Sequence, residues 1–424
     1  MARLLLYSID LHVTPFARLF RLMLTRAIVI VVLLLCTALP VSAEGPSSLA
    51  TDLVLEVDLL MQRAMEERTI AGGVILVGNR QGVLLERAFG RVSPLPDAVP
   101  VDMDTVFDLA SLTKVVATTP AVMKLAEQGR LSLVDPLVKW FPEFAGRGKD
   151  EVLVVHLLTH TSGLDDVILS PESPLQSALE RAAAEQLKGE PGVRFKYADI
   201  NFILLGELVR RVTGVPLDRY AAEVLYRPLG MAETGFTPDQ ETANRCAATL
   251  DGAGLPVLGV VQDYPARLLG GVAGHAGLFS TARDLSRFCQ VILNNGALQG
   301  RHVMAVRTVE QMTAPYFSRG GKVARGLGWD IASPYSSPRG KGFAEGSFGH
   351  TGYSGTSVWV DPRNDIYVVF LSVRLNYRDV KSLARLRAGL SSLVAAMFIS
   401  RQTEEGPEPG METASLPLPA RVNP

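Results

Sequence analysis

The apolar positions of this chain change period along its length. Between residues 49 and 68 they recur at helical spacing, with Leu53, Val57, Leu60, Met61 and Met65 on one side. Two apolar runs follow, at 72–78 and 82–90, and the Asn79–Gly82 connection makes them a strand hairpin. A polar, Pro-rich loop covers 93–104. Val115, Val122, Leu125 and Ala126 then fall at helical spacing, ending at Gly129, with Pro120 inside the pattern predicting a kink. The middle of the chain is helical, at 152–158, 201–213, 215–229 and 282–294, while 251–277 is Gly-rich and loop-like. Strand character returns at 352–361 and 366–373, joined by a turn at 362–365. Val380, Leu383, Leu386, Leu390, Val394 and Met397 form one face of a closing helix. Strands at both ends with helices between predict an α/β (α+β) fold. Its sheet is mostly antiparallel and drawn from both termini, terminal helices cover one face, and a helical lobe is inserted at roughly 120–270.

The ends and the composition narrow the class. An apolar run at 27–39 follows Arg18, Arg21 and Arg26 and ends in Pro40-Val41-Ser42-Ala43. This pattern predicts a leader over 1–43, cleaved after Ala43, and the run is short for a membrane span. An uncleaved anchor is the alternative, and Met23 would start a leader of more usual length. The expected domain is 44–401, and 402–424 has little to bury and reads as a disordered tail. Charge is balanced, 42 basic against 43 acidic residues, which argues against a nucleic-acid partner. Cys246 and Cys289 either pair in an oxidising compartment or stay as two buried thiols.

Candidate chemistry centres on Ser111-Leu112-Thr113-Lys114. Residues three apart share a helix face, and a serine at a helix N-terminus has free N–H groups near it to hold an oxyanion. A lysine buried one turn in would be pushed towards the neutral amine, giving the serine its own base. Tyr197 precedes a helix and could shuttle protons, or it could simply pack, with Asp199 as the helix cap. The glycines around His350-Thr351-Gly352 suggest close approach of a ligand to a strand, or a Gly-rich turn with a surface histidine. His156 and His160 are four apart but lack the Glu of H-E-x-x-H, so no metal is expected. His275 is read as a hydrogen-bonding loop residue. No phosphate loop, dinucleotide fingerprint or G-x-S-x-G elbow occurs, and no cofactor is expected.

Taken together, Ser111-x-x-Lys114, Tyr197-Ala198-Asp199 and His350-Thr351-Gly352, in that order, resemble the serine β-lactamase and penicillin-binding protein superfamily. Residues 157–164, 202–208, 228–231 and 274–281 look like its class C β-lactamase, D,D-peptidase and esterase branch, so the resemblance spans roughly 52–400. It implies Ser111 as acylated nucleophile, Lys114 as general base, Tyr197 as second proton-transfer residue, and the N–H groups of Ser111 and Tyr353 as oxyanion hole. It places His350, Thr351 and Gly352 against a substrate carboxylate. Asp199 stands where the family often has Asn: either its carboxylate suits a different substrate, or Asn201 takes the amide-binding role. His350 replaces the Lys of many β-lactamases, and both departures point away from efficient β-lactam hydrolysis. With an unperturbed pKa of about 6.5, His350 would make capture of anionic substrates pH-dependent. The expectation is an exported serine hydrolase, periplasmic or secreted, that acylates on an amide or ester of a small molecule or peptidoglycan-derived peptide. D,D-peptidase or muropeptide amidase chemistry comes first. An esterase or β-lactamase of the same fold, or a non-catalytic penicillin-binding or wall-binding protein, is the alternative. Contact with a membrane would come only through an uncleaved leader.

Overall fold

The computed structural model describes residues 48–320 and 323–399, so the expected leader and tail lie outside the described residues. Eight strands form one sheet. They are β1 (Ile70–Gly78), β2 (Val83–Gly90), β3 (Phe317–Arg319), β4 (Val323–Arg325), β5 (Asp330–Ala332), β6 (Phe348–Thr351), β7 (Ser357–Asp361) and β8 (Ile366–Arg374). Their order in space is β3-β4-β5-β6-β7-β8-β1-β2, and every neighbouring pair is antiparallel. The first strand therefore pairs with the last, Leu76 opposite Val369, and the two ends of the domain close on each other.

Side chains alternate across a strand, so an unbroken apolar run means that both faces are covered. Val74 and Leu76 of β1, Val358 and Val360 of β7, and Val369 and Leu371 of β8 pack into the main core under the middle of the chain. Their neighbours Ile75, Val77, Trp359, Val368 and Phe370 face the opposite way. There they meet α1 (Ser48–Glu66) through Val57 and Met61, and the closing helix α5 (Val380–Val394) through Leu383, Leu386 and Leu390. Edge strand β2 alternates between exposed and half-buried positions instead. The central helices α2 (Thr119–Glu127), α3 (Ile200–Thr213) and α4 (Ala282–Leu293) supply the main core from the other side. Beside them a three-stranded sheet joins Phe107–Asp108, Leu278–Ser280 and Gly235–Phe236.

Two local expectations are corrected, and three strands are added. Strands β3 to β5 are too short and polar to show as a period-2 run, yet they extend the sheet past β6. Residues 352–361 are not one strand: β6 ends at Thr351, and the chain turns through 352–356 before β7. Gly352 donates to Thr356 O at 2.7 Å, and Gly355 sits at φ +123°, a region that favours glycine. Pro120 does not kink a long helix. The chain passes from a tight turn at Ala110–Leu112 through a wide turn at Lys114–Thr118, and Pro120 falls in the first turn of α2, where its missing N–H costs nothing. Cys246 and Cys289 are both free and buried, which settles the choice left open by their spacing.

If the faces are assigned correctly, Leu371→Ala should destabilise the fold by about 2–5 kcal/mol through a core cavity. Leu84→Ala on exposed β2 should stay within about 0.5 kcal/mol of wild type. Equal losses in urea denaturation would contradict the assignment.

Candidate active site

Ser111 stands on a strained, heavily tied turn. Ala110 before it has φ +45°, unusual for a residue with a side chain. Asp108 holds that turn: its Oδ1 accepts the Ala110 N–H at 2.8 Å, and its Oδ2 accepts the Gln262 N–H at 2.7 Å. Burial of this carboxyl raises its pKa to about 6. Leu109 donates to Leu278 O at 2.9 Å, and Thr113 Oγ1 donates to Ala110 O at 2.7 Å. The turn after β6 clamps the other side, with Ser354 Oγ donating to Asp108 O at 2.6 Å and Thr356 Oγ1 donating to Leu109 O at 3.0 Å. A Cβ at Gly352 would collide with Leu109 O, so close approach demands glycine there. Arg387 of α5 donates one nitrogen to both Gly352 O and Thr356 O at 2.7 Å, and Arg374 donates to Tyr353 O at 2.8 Å.

The Lys114 ammonium is fully buried, and three oxygens surround it. Nζ donates to Ser111 Oγ at 3.0 Å and to His275 O at 2.9 Å, and forms an ion pair with Asp199 Oδ1 at 2.7 Å. The neutral amine expected from burial is therefore corrected. Burial pulls the lysine pKa down, but the Asp199 carboxylate and the Tyr197 phenol outweigh it, and the net shift is upward. Tyr197 lies against the same amine, its ring centroid 5.1 Å from Nζ. Burial raises the phenol pKa, so it stays protonated, and it is close enough to interact with both Lys114 and Ser111.

Asp199 occupies the cap position of α3, but its side chain makes no capping bond. Asp166 Oδ1 accepts the Ile200 N–H at 2.9 Å instead, leaving Asp199 for Lys114. Asn201 does not take a substrate role. It is buried, accepting from Ser162 Oγ at 2.5 Å and donating to Ala198 O at 3.1 Å, so it fastens the Tyr197 segment. His156 and His160 do not converge on a metal. His156 Nδ1 accepts the Leu153 N–H at 3.2 Å, whereas buried His160 stacks on Tyr197 with ring centroids 4.3 Å apart. Nothing in the spacing of His160 signals that it backs the tyrosine. His275 pairs through Nε2 with Asp263 Oδ1 at 2.8 Å while its carbonyl receives Lys114. Ligand atoms of Asp199, Asp263 and His275 come within 4.8 Å of one another. Lys114 already pairs with Asp199 of that group and donates to the His275 carbonyl, while Asp263 is taken by the His275 ring.

A cavity of about 440 Å³ opens above Ser111 and Tyr197, bounded by His350, Thr351, Gly352 and Tyr353 on the β6 side. Buried Arg325 lies in its wall, 3.2 Å from Asp330 Oδ1, and Tyr335 stands over Tyr197 with ring centroids 5.6 Å apart. These three were missed because they come from the short strands and the loop after them. His350 is buried, not a surface histidine. Burial, with Arg325 and Lys114 nearby, pushes its pKa well below the usual histidine value. Its Nδ1 lies 2.9 Å from Thr351 O, and a carbonyl only accepts, so Nδ1 carries the proton and Nε2 remains an acceptor. The pH-switched cation expected from the sequence is thus replaced by a neutral ring. Its imidazole nitrogens should show no titration in ¹⁵N NMR between about pH 8 and pH 6. A midpoint near the unperturbed value of about 6.5 would overturn this.

The Beta-lactamase family model matches residues 57–391. A protein of Salmonella agona described as a "Putative D-alanyl-D-alanine carboxypeptidase" is 31% identical over 343 residues, 71% of this chain and 78% of its own length. An Escherichia coli K12 protein with the same description is 34% identical over 301 residues, 63% of this chain and 69% of its own. A penicillin-binding protein homologue from Caulobacter crescentus shares the fold, with a TM-score of 0.66 at 20% identity, covering 81% of this chain and 98% of its own. The chain belongs to the Beta-lactamase family and is a serine hydrolase.

Proposed function

We propose that the protein is an exported D,D-carboxypeptidase-type hydrolase that removes a terminal residue from peptidoglycan-derived peptides through an acyl-enzyme on Ser111. The observation that carries this reading is Ser111 Oγ at 3.0 Å from Lys114 Nζ, on the floor of the cavity that Tyr197 and Gly352 also line. Once the Lys114 ammonium has given up one proton to solvent, Ser111 Oγ attacks the carbonyl carbon while its own proton passes to the Lys114 amine. The N–H groups of Ser111 and Tyr353 receive the oxyanion. The carbon–nitrogen bond then breaks as the leaving nitrogen takes a proton, through Tyr197. Water hydrolyses the acyl-enzyme by the same path in reverse. The description of the relatives as D-alanyl-D-alanine carboxypeptidases supports a peptide substrate. Neutral His350 brings no charge to the third motif and favours uncharged esters as a second substrate class. Export rests on the apolar run at 27–39 and the small residues Val41-Ser42-Ala43.

A fluorescent penicillin or fluorophosphonate should label the wild type at Ser111 and leave Ser111→Ala unlabelled. Labelling of both proteins alike would overturn the assignment. Lys114→Ala should slow acylation by about 10²–10⁴. A wild type that releases no D-alanine from a peptide ending in D-alanyl-D-alanine, yet turns over esters, would replace the peptidase reading with the esterase one. N-terminal sequencing of protein from a Gram-negative host should begin at Glu44, and an intact leader in the membrane fraction would mean an anchor.

A further inference from the structure

A lysine that is to take a proton from serine must first be an amine, and here it is held as an ammonium. The groups facing it identify the cause. Tyr197 also favours the ammonium, but as a protonated phenol it brings no full negative charge and ranks behind Asp199. His350 and His160 are buried and pushed towards the neutral form. Arg325 is a cation paired with Asp330 at 3.2 Å, and a neighbouring cation can only oppose a second positive charge. Among the carboxylates, Asp263 is engaged by His275 at 2.8 Å, and Asp166 accepts the Ile200 N–H at 2.9 Å. Asp199 alone among the described carboxylates touches the amine, at 2.7 Å. It is also free of the capping bond that its place at the start of α3 would offer.

We infer that Asp199 is a positioning residue that keeps Lys114 protonated in the free enzyme, so that acylation waits on the departure of one lysine proton. The inference rests on the acyl-enzyme reading above. A solvent base takes one Nζ proton, leaving the amine beside Ser111 Oγ. As the oxygen–carbon bond forms, the amine accepts the hydroxyl proton. As the leaving group departs, that proton passes on to it, and Lys114 is an amine again for deacylation. Closing this cycle restores the Ser111 proton from water. When product leaves, Lys114 takes a proton back from solvent and its ion pair with Asp199 re-forms.

The test is the pH dependence of kcat/KM for Asp199→Asn and Asp199→Glu beside wild type, with an uncharged ester whose own ionisation does not intrude. Wild type should show a limb that rises towards alkaline pH. In Asp199→Asn the midpoint of that limb should move to lower pH by at least about one unit, a tenfold change in the proton equilibrium. Asp199→Glu, which keeps the carboxylate, should hold the limb within half that distance of wild type. The height of the plateau is not the readout, because any disturbance of Tyr197 changes it. A limb that stays in place in Asp199→Asn while only its height falls overturns the inference and leaves Asp199 as a packing residue. Should Asp199→Asn fail to fold, ¹³Cε-lysine NMR of the wild type decides, with the Lys114 resonance identified by its absence in Lys114→Arg. That resonance should keep its ammonium position up to about pH 10. An amine signal at neutral pH overturns the inference. Covalent labelling of Ser111 reports separately on the acyl-enzyme reading: if it fails, that reading falls, whereas labelling with an unmoved limb removes Asp199 alone.

Discussion

A buried ammonium must be surrounded by acceptors, and Lys114 makes that demand at the centre of this fold. An unpaired charge in the interior costs several kcal/mol, and three separate segments supply oxygens to offset that cost. The Gly-rich loop before Leu278 turns its His275 carbonyl inward. The segment ahead of α3 gives up a helix-capping side chain to bring Asp199 to the amine, and Asp166 takes over the abandoned cap. Gly274 must pack on the carbonyl of Phe202 to let the loop reach, with no room for a side chain. Ser111 is thus one of three oxygen partners of a buried charge, beside Asp199 and the His275 carbonyl.

The second organising feature is the clamp on the turn carrying Ser111. One side is backbone pairing to Leu278, and the other is the hydroxyls of Ser354 and Thr356. The clamp is itself held by arginines of β8 and α5. Such a scaffold can keep Ala110 in a strained conformation because several bonds oppose its relaxation. It also explains why His350 is neutral. Strand β6 runs into the interior beside two buried cations, Arg325 and Lys114, and a third positive charge there would be opposed by both as well as by desolvation.

Much of this was legible in the sequence, where the signal was local or covalently close. Strands β1 and β8 announced themselves because both faces are buried, and Ser111 and Lys114 because a three-residue spacing sets their geometry. Burial of Lys114 was foreseeable, but its charge state was not. That depends on which way one carboxylate, 85 residues further on, turns its side chain, and the helix-cap rule pointed the wrong way for Asp199. Asn201 looked as available as Asp199, and only the packing of α3 seals it from the cavity. Arg325 and Tyr335 were invisible for a different reason. Strands of three residues carry too few positions for alternation to be read, so the segment that lines much of the cavity had no period to reveal it.

The clamp has a consequence for the life of the chain before it is folded. Ser354 and Thr356 lie 246 and 247 positions beyond the residues whose carbonyls they hold, and His275 lies 161 beyond Lys114. Contacts so remote in sequence carry the entropic cost of closing the intervening chain and slow folding as a whole. A ribosome that has just released Ser111 still has to make the lysine's carbonyl partner, the whole of β6 and the helix that braces it. Until Thr356 has been made, the turn carrying Ser111 lacks both of the hydroxyls that clamp it.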